Sequence, residues 1–245
     1  MTTYVLVHGA WHGGWCWRPV ADRLRAAGHE VVAPTLTGLA ERAHLASPSV
    51  GLDTHVRDVV GEIEFADLTD VVLVGHSYAG MVVTGVAALV PERIRRLVVV
   101  DGFLPEAGEP AIELLPPHAA AHYRESATLH GDVWLIPPRP LANLGVTDPA
   151  AVAAITPRLT PHPLQTYLDG AAHSASALTV AGSYLLCAGW ASPFAGFAEK
   201  AAELGFAVDR IAADHEVPLT DPGLLAGELM SVAVVPPADL EEVSG

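Results

Sequence analysis

A chain of 245 residues with 51% hydrophobic content can bury one large core, and its length suits a single α/β domain with an inserted segment. A net charge of −15 argues against nucleic acid or an anionic membrane as partner, because both need a cationic face. The first apolar run starts at Tyr4, leaving no room for a signal peptide, and no run is long enough to span a membrane, so a cytoplasmic protein is expected.

In chain order, strand and helix alternate. Tyr4 to Val7 reads as a short buried strand running into His8-Gly9-Ala10-Trp11-His12-Gly13-Gly14-Trp15. Helical periodicity starts near Pro19 and stops at Gly28, and Glu30 to Ala33 is the next strand. Thr35 to Gly51 has no clear period and reads as a surface loop, after which Asp53 can cap a helix over Thr54 to Ala66. Val71 to Val74 is a buried strand, Met81 to Leu89 an apolar helix, and Ile94 to Val100 another strand ending at Asp101-Gly102-Phe103.

From Pro105 to about Ala181 the character changes, with eleven of the 20 prolines falling between Pro105 and Pro163. Such a stretch cannot be a strand–helix repeat, so residues 105–181 are expected to form a cap inserted between core segments 1–104 and 182–235. Within it, Ala150 to Ile155 is a short helical patch and Leu164 to Leu168 a hydrophobic stripe. The core resumes at Ser183 to Cys187, followed by a helix from Ser192-Pro193 to Gly205. Phe206 to Ile211 is the last strand, Asp221 to Ala233 the last helix, and residues 236–245 a tail.

The alternation implies a mostly parallel six-stranded sheet with helices on both faces and ligands at the carboxyl ends of its strands. His8, Ser77, Asp101 and His215 all follow strands. Ser77 lies in Gly75-His76-Ser77-Tyr78-Ala79-Gly80, between a buried strand and a helix, where a tight turn projects a hydroxyl above the sheet. The alternative is a serine that merely caps the following helix. Cys16 and Cys187 lack metal-ligand spacing and read as buried free thiols. His118 and His122 stand at i, i+4 without a carboxylate between them, among prolines, so no metal is expected.

The chain resembles an α/β-hydrolase of the branch holding plant-type methylesterases, hydroxynitrile lyases and bacterial esterase-like proteins. The resemblance rests on Val-His-Gly-Ala-Trp-His-Gly-Gly-Trp-Cys-Trp at 7–17, Gly-His-Ser-Tyr-Ala-Gly-Met-Val at 75–82, Asp-Gly-Phe-Leu-Pro-Glu-Ala-Gly at 101–108 and Asp-His-Glu-Val-Pro-Leu at 214–219. It implies Ser77 as nucleophile, His215 as base, and the backbone amides of Ala10 and Tyr78 as oxyanion donors. It also implies an acid just after the strand ending at Cys187, where residues 188–194 contain none and Trp190 stands instead. Asp101, at the end of the strand before the cap, is the nearest replacement, able to hold the His215 tautomer that leaves Nε2 free. The alternative for Asp101 is a turn with Gly102.

Lyases of this branch carry a threonine where this chain has Gly9 and a lysine directly after the catalytic histidine, where this chain has Glu216. A glutamate there would repel departing cyanide, which disfavours cyanohydrin cleavage. Trp11, Phe103, Trp134, Trp190 and Tyr78 could line an aromatic pocket under the cap, or pack the core. The expectation is a cofactor-free serine hydrolase of a small hydrophobic or aromatic carboxylic ester. A lyase or cyclase using the same pocket for proton transfer, and an idle small-molecule binder, are the alternatives. The partner is a small-molecule substrate, and the oligomeric state stays open, a homodimer included.

Overall fold

Short runs of β-branched residues build the sheet on which everything else is hung. The computed structural model describes residues 1–129 and 134–234. The chain forms β1 (Thr3–Val7), α1 (Arg18–Ala26), β2 (Glu30–Val32), α2 (Leu52–Phe65), β3 (Val71–His76), α3 (Ala79–Leu89) and β4 (Ile94–Val100). After an insertion come β7 (Gly182–Cys187), α8 (Ala195–Glu203), β8 (Ala207–Ile211), α9 (Val217–Thr220) and α10 (Pro222–Val234). The insertion itself holds α4 (Ala111–Leu114), α5 (Pro117–Leu129), β5 (Leu135–Ile136), α6 (Pro149–Ile155), β6 (His162–Pro163) and α7 (Gln165–Leu168).

The six-stranded sheet has the order β2-β1-β3-β4-β7-β8, and every neighbouring pair is parallel. Alternate side chains point to opposite faces, as the pleat requires. Val5, Val7, Leu73, Leu97, Val99 and Leu186 pack on one face with residues of α2, α3 and α8. Tyr4, Leu6, Val72, Val74, Val98, Val100 and Leu185 pack on the other with α1 and α10. The connections reverse direction between β1 and β3, so the loops after these two strands diverge and leave a crevice at their carboxyl ends.

The inserted residues pair β5 with β6 antiparallel and form a small separate cluster of Leu141, Leu144, Val146 and Ile155. They are tied to the sheet-end loops: the Trp11 indole donates to the Ile136 carbonyl at 3.2 Å, and the Thr160 amide to the Trp11 carbonyl at 2.9 Å.

Two helix starts differ from the expectation. Helix α2 begins at Leu52, and its first amide is capped by Asp169 Oδ2 at 2.9 Å, while Asp53 pairs with Arg57 at 2.6 Å. A side chain on Gly51 would collide with that Asp169 carboxylate, so the glycine admits the cap. Helix α8 begins at Ala195 rather than at Ser192, because the Ser192 hydroxyl donates to Asp101 at 2.9 Å and accepts from the Phe194 amide at 3.1 Å. The expected tail, 236–245, lies outside the described residues.

Candidate active site

Strand β3 delivers Ser77 into a left-handed conformation, φ 57°, which an L-residue adopts only when its surroundings hold it there. Its amide donates to the Val100 carbonyl at 3.0 Å, and its carbonyl accepts from the amides of Gly80 at 3.1 Å and Phe103 at 3.2 Å. The turn is tight enough that a Cβ on Gly102 would stand 2.6 Å from the Ser77 carbonyl, and one on Gly80 would run into the Phe103 backbone. The close approaches thus fall on Gly75, Gly80 and Gly102, and the fully buried Ala79 is tolerated where the motif has glycine.

His215, on the loop after β8, spans the gap between serine and acid. Its Nε2 lies 2.9 Å from Ser77 Oγ and its Nδ1 lies 2.6 Å from Asp101 Oδ2. The loop is pinned at both backbone groups, the amide donating to the Leu144 carbonyl at 3.1 Å and the carbonyl accepting from His76 Nε2 at 2.7 Å. The ring stacks on Phe194 at 5.5 Å and is flanked by Trp190 at 5.0 Å.

Asp101 ends β4 with φ 42° and no solvent exposure. Besides His215, its carboxylate accepts from the Trp190 indole at 3.0 Å, the Ser192 hydroxyl at 2.9 Å and the Cys187 amide at 3.3 Å. Trp190, which occupies the place where the resemblance expects an acid, is therefore a donor to the acid on the neighbouring strand. A buried carboxylate needs such a set of donors.

Several buried histidines act as neutral struts. Burial is the largest cause that lowers His8 to about 3, His76 to about 3 and His55 to about 4, and it holds His162 well below its ordinary value. His8 accepts from the Leu36 amide at 3.1 Å through Nε2, so its Nδ1 is the atom that donates to the Gly9 carbonyl at 2.8 Å. His162 Nδ1 accepts from the Trp11 amide at 3.4 Å, with Trp11 at φ 66°. With the Trp11 amide engaged, the amides of Ala10 and Tyr78 are left without an acceptor among the described residues. Ala10, Ser77 and His215 border one small cavity.

Beside this cavity lies a second histidine–carboxylate pair. His12 donates through Nδ1 to the Ala10 carbonyl at 2.7 Å, and its Nε2 lies 3.1 Å from Glu216 Oε2, both side chains being buried. Burial opposes the charge on both groups, yet each overrides it for the other: His12 is raised, and Glu216 is pushed down to about 2. The Glu216 charge is thereby matched by His12.

A second pocket opens over Ser77 and His215, bordered by Trp11, Phe103 and Trp190 together with Leu115, Tyr123, Arg139, Leu144 and Tyr167. Trp134 does not border it; its carbonyl accepts from the Leu164 amide at 2.7 Å. Nor does Tyr78, whose hydroxyl meets His55 Nδ1 at 3.0 Å and whose ring stacks on Tyr167 at 5.2 Å. Sequence reasoning missed Tyr123, Arg139 and Tyr167, which lie in the insertion where no periodicity marks an inward face. It also missed the pairing of His12, for which the only signal was its place in the 7–17 motif. Among the described residues, no group of three or more His, Cys, Asp or Glu is placed to hold a metal ion.

A serine on a strand–helix elbow, bridged by histidine to a buried carboxylate at the carboxyl end of the neighbouring strand of a parallel sheet, defines an α/β hydrolase arrangement. Residues 4–228 match the alpha/beta hydrolase family, and the chain belongs to it. It is 41% identical to a carbendazim hydrolyzing esterase of Nocardioides sp., over 95% of this chain and 100% of that one. It is 31% identical to an alpha-hydroxynitrile lyase of Arabidopsis thaliana, over 53% of this chain and 48% of the lyase. An extracellular α/β-hydrolase of a Paenibacillus species, described as sharing homology with tobacco salicylic acid binding protein 2, superposes with a TM-score of 0.85. It is 27% identical, over 95% of this chain and 99% of that one. The chain is an enzyme of the hydrolase class, related to esterases.

Proposed function

We propose that this protein hydrolyses a small hydrophobic or aromatic carboxylic ester through an acyl-enzyme formed on Ser77. The observation that carries the reading is the pair of distances at His215, 2.9 Å to Ser77 Oγ and 2.6 Å to Asp101 Oδ2. In the acylation step, Ser77 Oγ bonds to the ester carbonyl carbon while its proton passes to His215 Nε2. The developing oxyanion is held by the Ala10 and Tyr78 amides. The alkoxide leaves with the proton that His215 returns to it. Water then repeats the sequence on the acyl-serine, giving the carboxylic acid and free Ser77. Asp101 keeps Nδ1 protonated throughout, so that Nε2 is the atom that accepts.

Residues 105–181 are the cap that closes this pocket, and residues 1–104 with 182–235 the catalytic core. Among the described residues no helix is long and apolar enough to cross a membrane. The two unpaired, buried cysteines favour a cytoplasmic location.

Lyase chemistry at the same serine is the second reading, supported by the hydroxynitrile lyase relative. Against it, a side chain on Gly9 would place its Cβ 3.0 Å from Ser77 Cβ and 3.3 Å from His76 Nδ1. There is no room for a threonine beside the nucleophile unless one of them moves. Turnover of nitrophenyl esters, combined with labelling by a serine-directed fluorophosphonate, separates the readings. Both together are expected of the esterase, labelling without turnover points to the lyase, and neither to a binder.

A further inference from the structure

The pocket over Ser77 is aromatic and aliphatic on most sides, with one cation in its wall, Arg139. In a protein of net charge −15 most of the other basic groups are engaged. Arg42, Arg57, Arg93, Arg95 and Lys200 pair with carboxylates, and Arg158 lies 3.8 Å over the Trp15 ring. Arg139 has no carboxylate partner among the described residues, and its Nε is buried without a hydrogen-bond acceptor. The half-buried Arg139 side chain lies 6.0 Å from the centre of the Tyr123 ring, at the outer limit of a cation–π contact, and its charge also acts on the Tyr123 hydroxyl, but neither contact meets Nε. A buried donor left unmet in a catalytic pocket points to an acceptor that arrives with the substrate.

We infer that Arg139 recognises a carboxylate on the substrate, so that the preferred esters are half-esters of dicarboxylic acids. This inference rests on the esterase reading of Ser77 and adds the substrate class. A planar carboxylate matches the guanidinium fork with two parallel hydrogen bonds, and the surrounding aromatic walls fit the carbon frame between the two acid groups. The phenols of Tyr123 and Tyr167 meet edge to face at 5.3 Å beside Arg139 and hydrogen-bond to each other. Burial raises both hydroxyls above their ordinary value, so both keep their protons at neutral pH. A phosphate dianion would need more compensating charge than this single cation gives, and a neutral ester would leave Nε unmet.

The test compares monomethyl isophthalate with its neutral dimethyl ester, on wild type, Arg139→Met and Arg139→Lys, with fluorophosphonate labelling of Ser77 as a parallel readout. Wild type is expected to show the lower KM for the half-ester. Arg139→Met should raise the half-ester KM by about tenfold more than it changes the dimethyl ester KM, so that the preference between the two esters is lost, as loss of one charge-assisted contact predicts. Arg139→Lys should fall between, since it keeps the charge and loses the fork. Equal losses on both esters, or no change on either, would overturn the inference and leave the esterase reading intact. Failure of Ser77 to label, with neither ester turned over, would overturn the esterase reading and this inference with it.

Discussion

Two buried histidine–carboxylate pairs stand side by side in this molecule, and they do different things. His215 meets Asp101 at 2.6 Å and turns its other nitrogen to the Ser77 hydroxyl at 2.9 Å. His12 meets Glu216 at 3.1 Å and turns its other nitrogen to the Ala10 carbonyl at 2.7 Å. A hydroxyl has a proton to give and a carbonyl has none, so only the first pair can serve as a base. The second is a positioning pair: through Ala10 it holds the loop after β1, and through Glu216 it holds the loop that carries His215. What a ring can do is decided by what its far nitrogen faces, while the acid behind it orients the ring and favours its protonated form.

The largest effect separating the pairs is expected at Ser77, the nucleophile of the proposed mechanism. Ser77→Ala should lower kcat on an activated ester by roughly 10⁶, as deletion of a nucleophile does, while thermal stability is retained. Ester turnover close to wild type would place the chemistry elsewhere.

On the second pair the effect should appear in stability. Glu216→Gln leaves His12 buried beside a neutral amide, and breaking such a pair costs about 3 kcal/mol, toward the lower end because a histidine can shed its proton. For a chain of this size that is a fall in Tm of roughly 10 °C. An unchanged Tm would mean that the ion pair contributes nothing net.

The pH dependence of that difference sharpens the comparison further. His12 is raised above its ordinary 6.5, so its contribution is complete below 6.5 and is lost as pH rises through its folded value. Glu216 is depressed from 4.5 to about 2, so its contribution is complete above 4.5 and is lost as pH falls toward 2. The Tm gap between wild type and Glu216→Gln should therefore be widest from about pH 4.5 to 6.5 and should narrow toward alkaline pH, as thermal melts at stepped pH would reveal. A gap that widens above pH 8 would contradict a charged His12.

What the sequence made legible follows the same division. The sheet and the strand-end placement of Ser77, Asp101 and His215 could be read from local pattern, because buried parallel strands announce themselves as apolar runs, and the family resemblance singled out Asp101 as the nearest acid. The partners of Asp101 could not. Trp190 reads as an aromatic on a loop until β7 is set beside β4, where its indole reaches the carboxylate at 3.0 Å. The cap of α2 was misread for the same reason: the residue that serves Leu52 is Asp169, 117 positions away, and no local signal marks it. Arg139 and Tyr167 lie in a proline-dense insertion whose inward faces are set by long-range packing, so periodicity is silent there.

The central claim is that an acid at the end of β4 fixes the tautomer of His215. Its most direct test is kcat for Asp101→Asn on a nitrophenyl ester. An amide at this position can donate to Nδ1 and hold the tautomer whose Nε2 is already protonated, so that Nε2 cannot accept the serine proton. The expected result is a fall in kcat of up to about 10⁴ with the folded structure retained. A variant that turns over within a few-fold of wild type would contradict the account and leave a Ser77–His215 dyad as the working site.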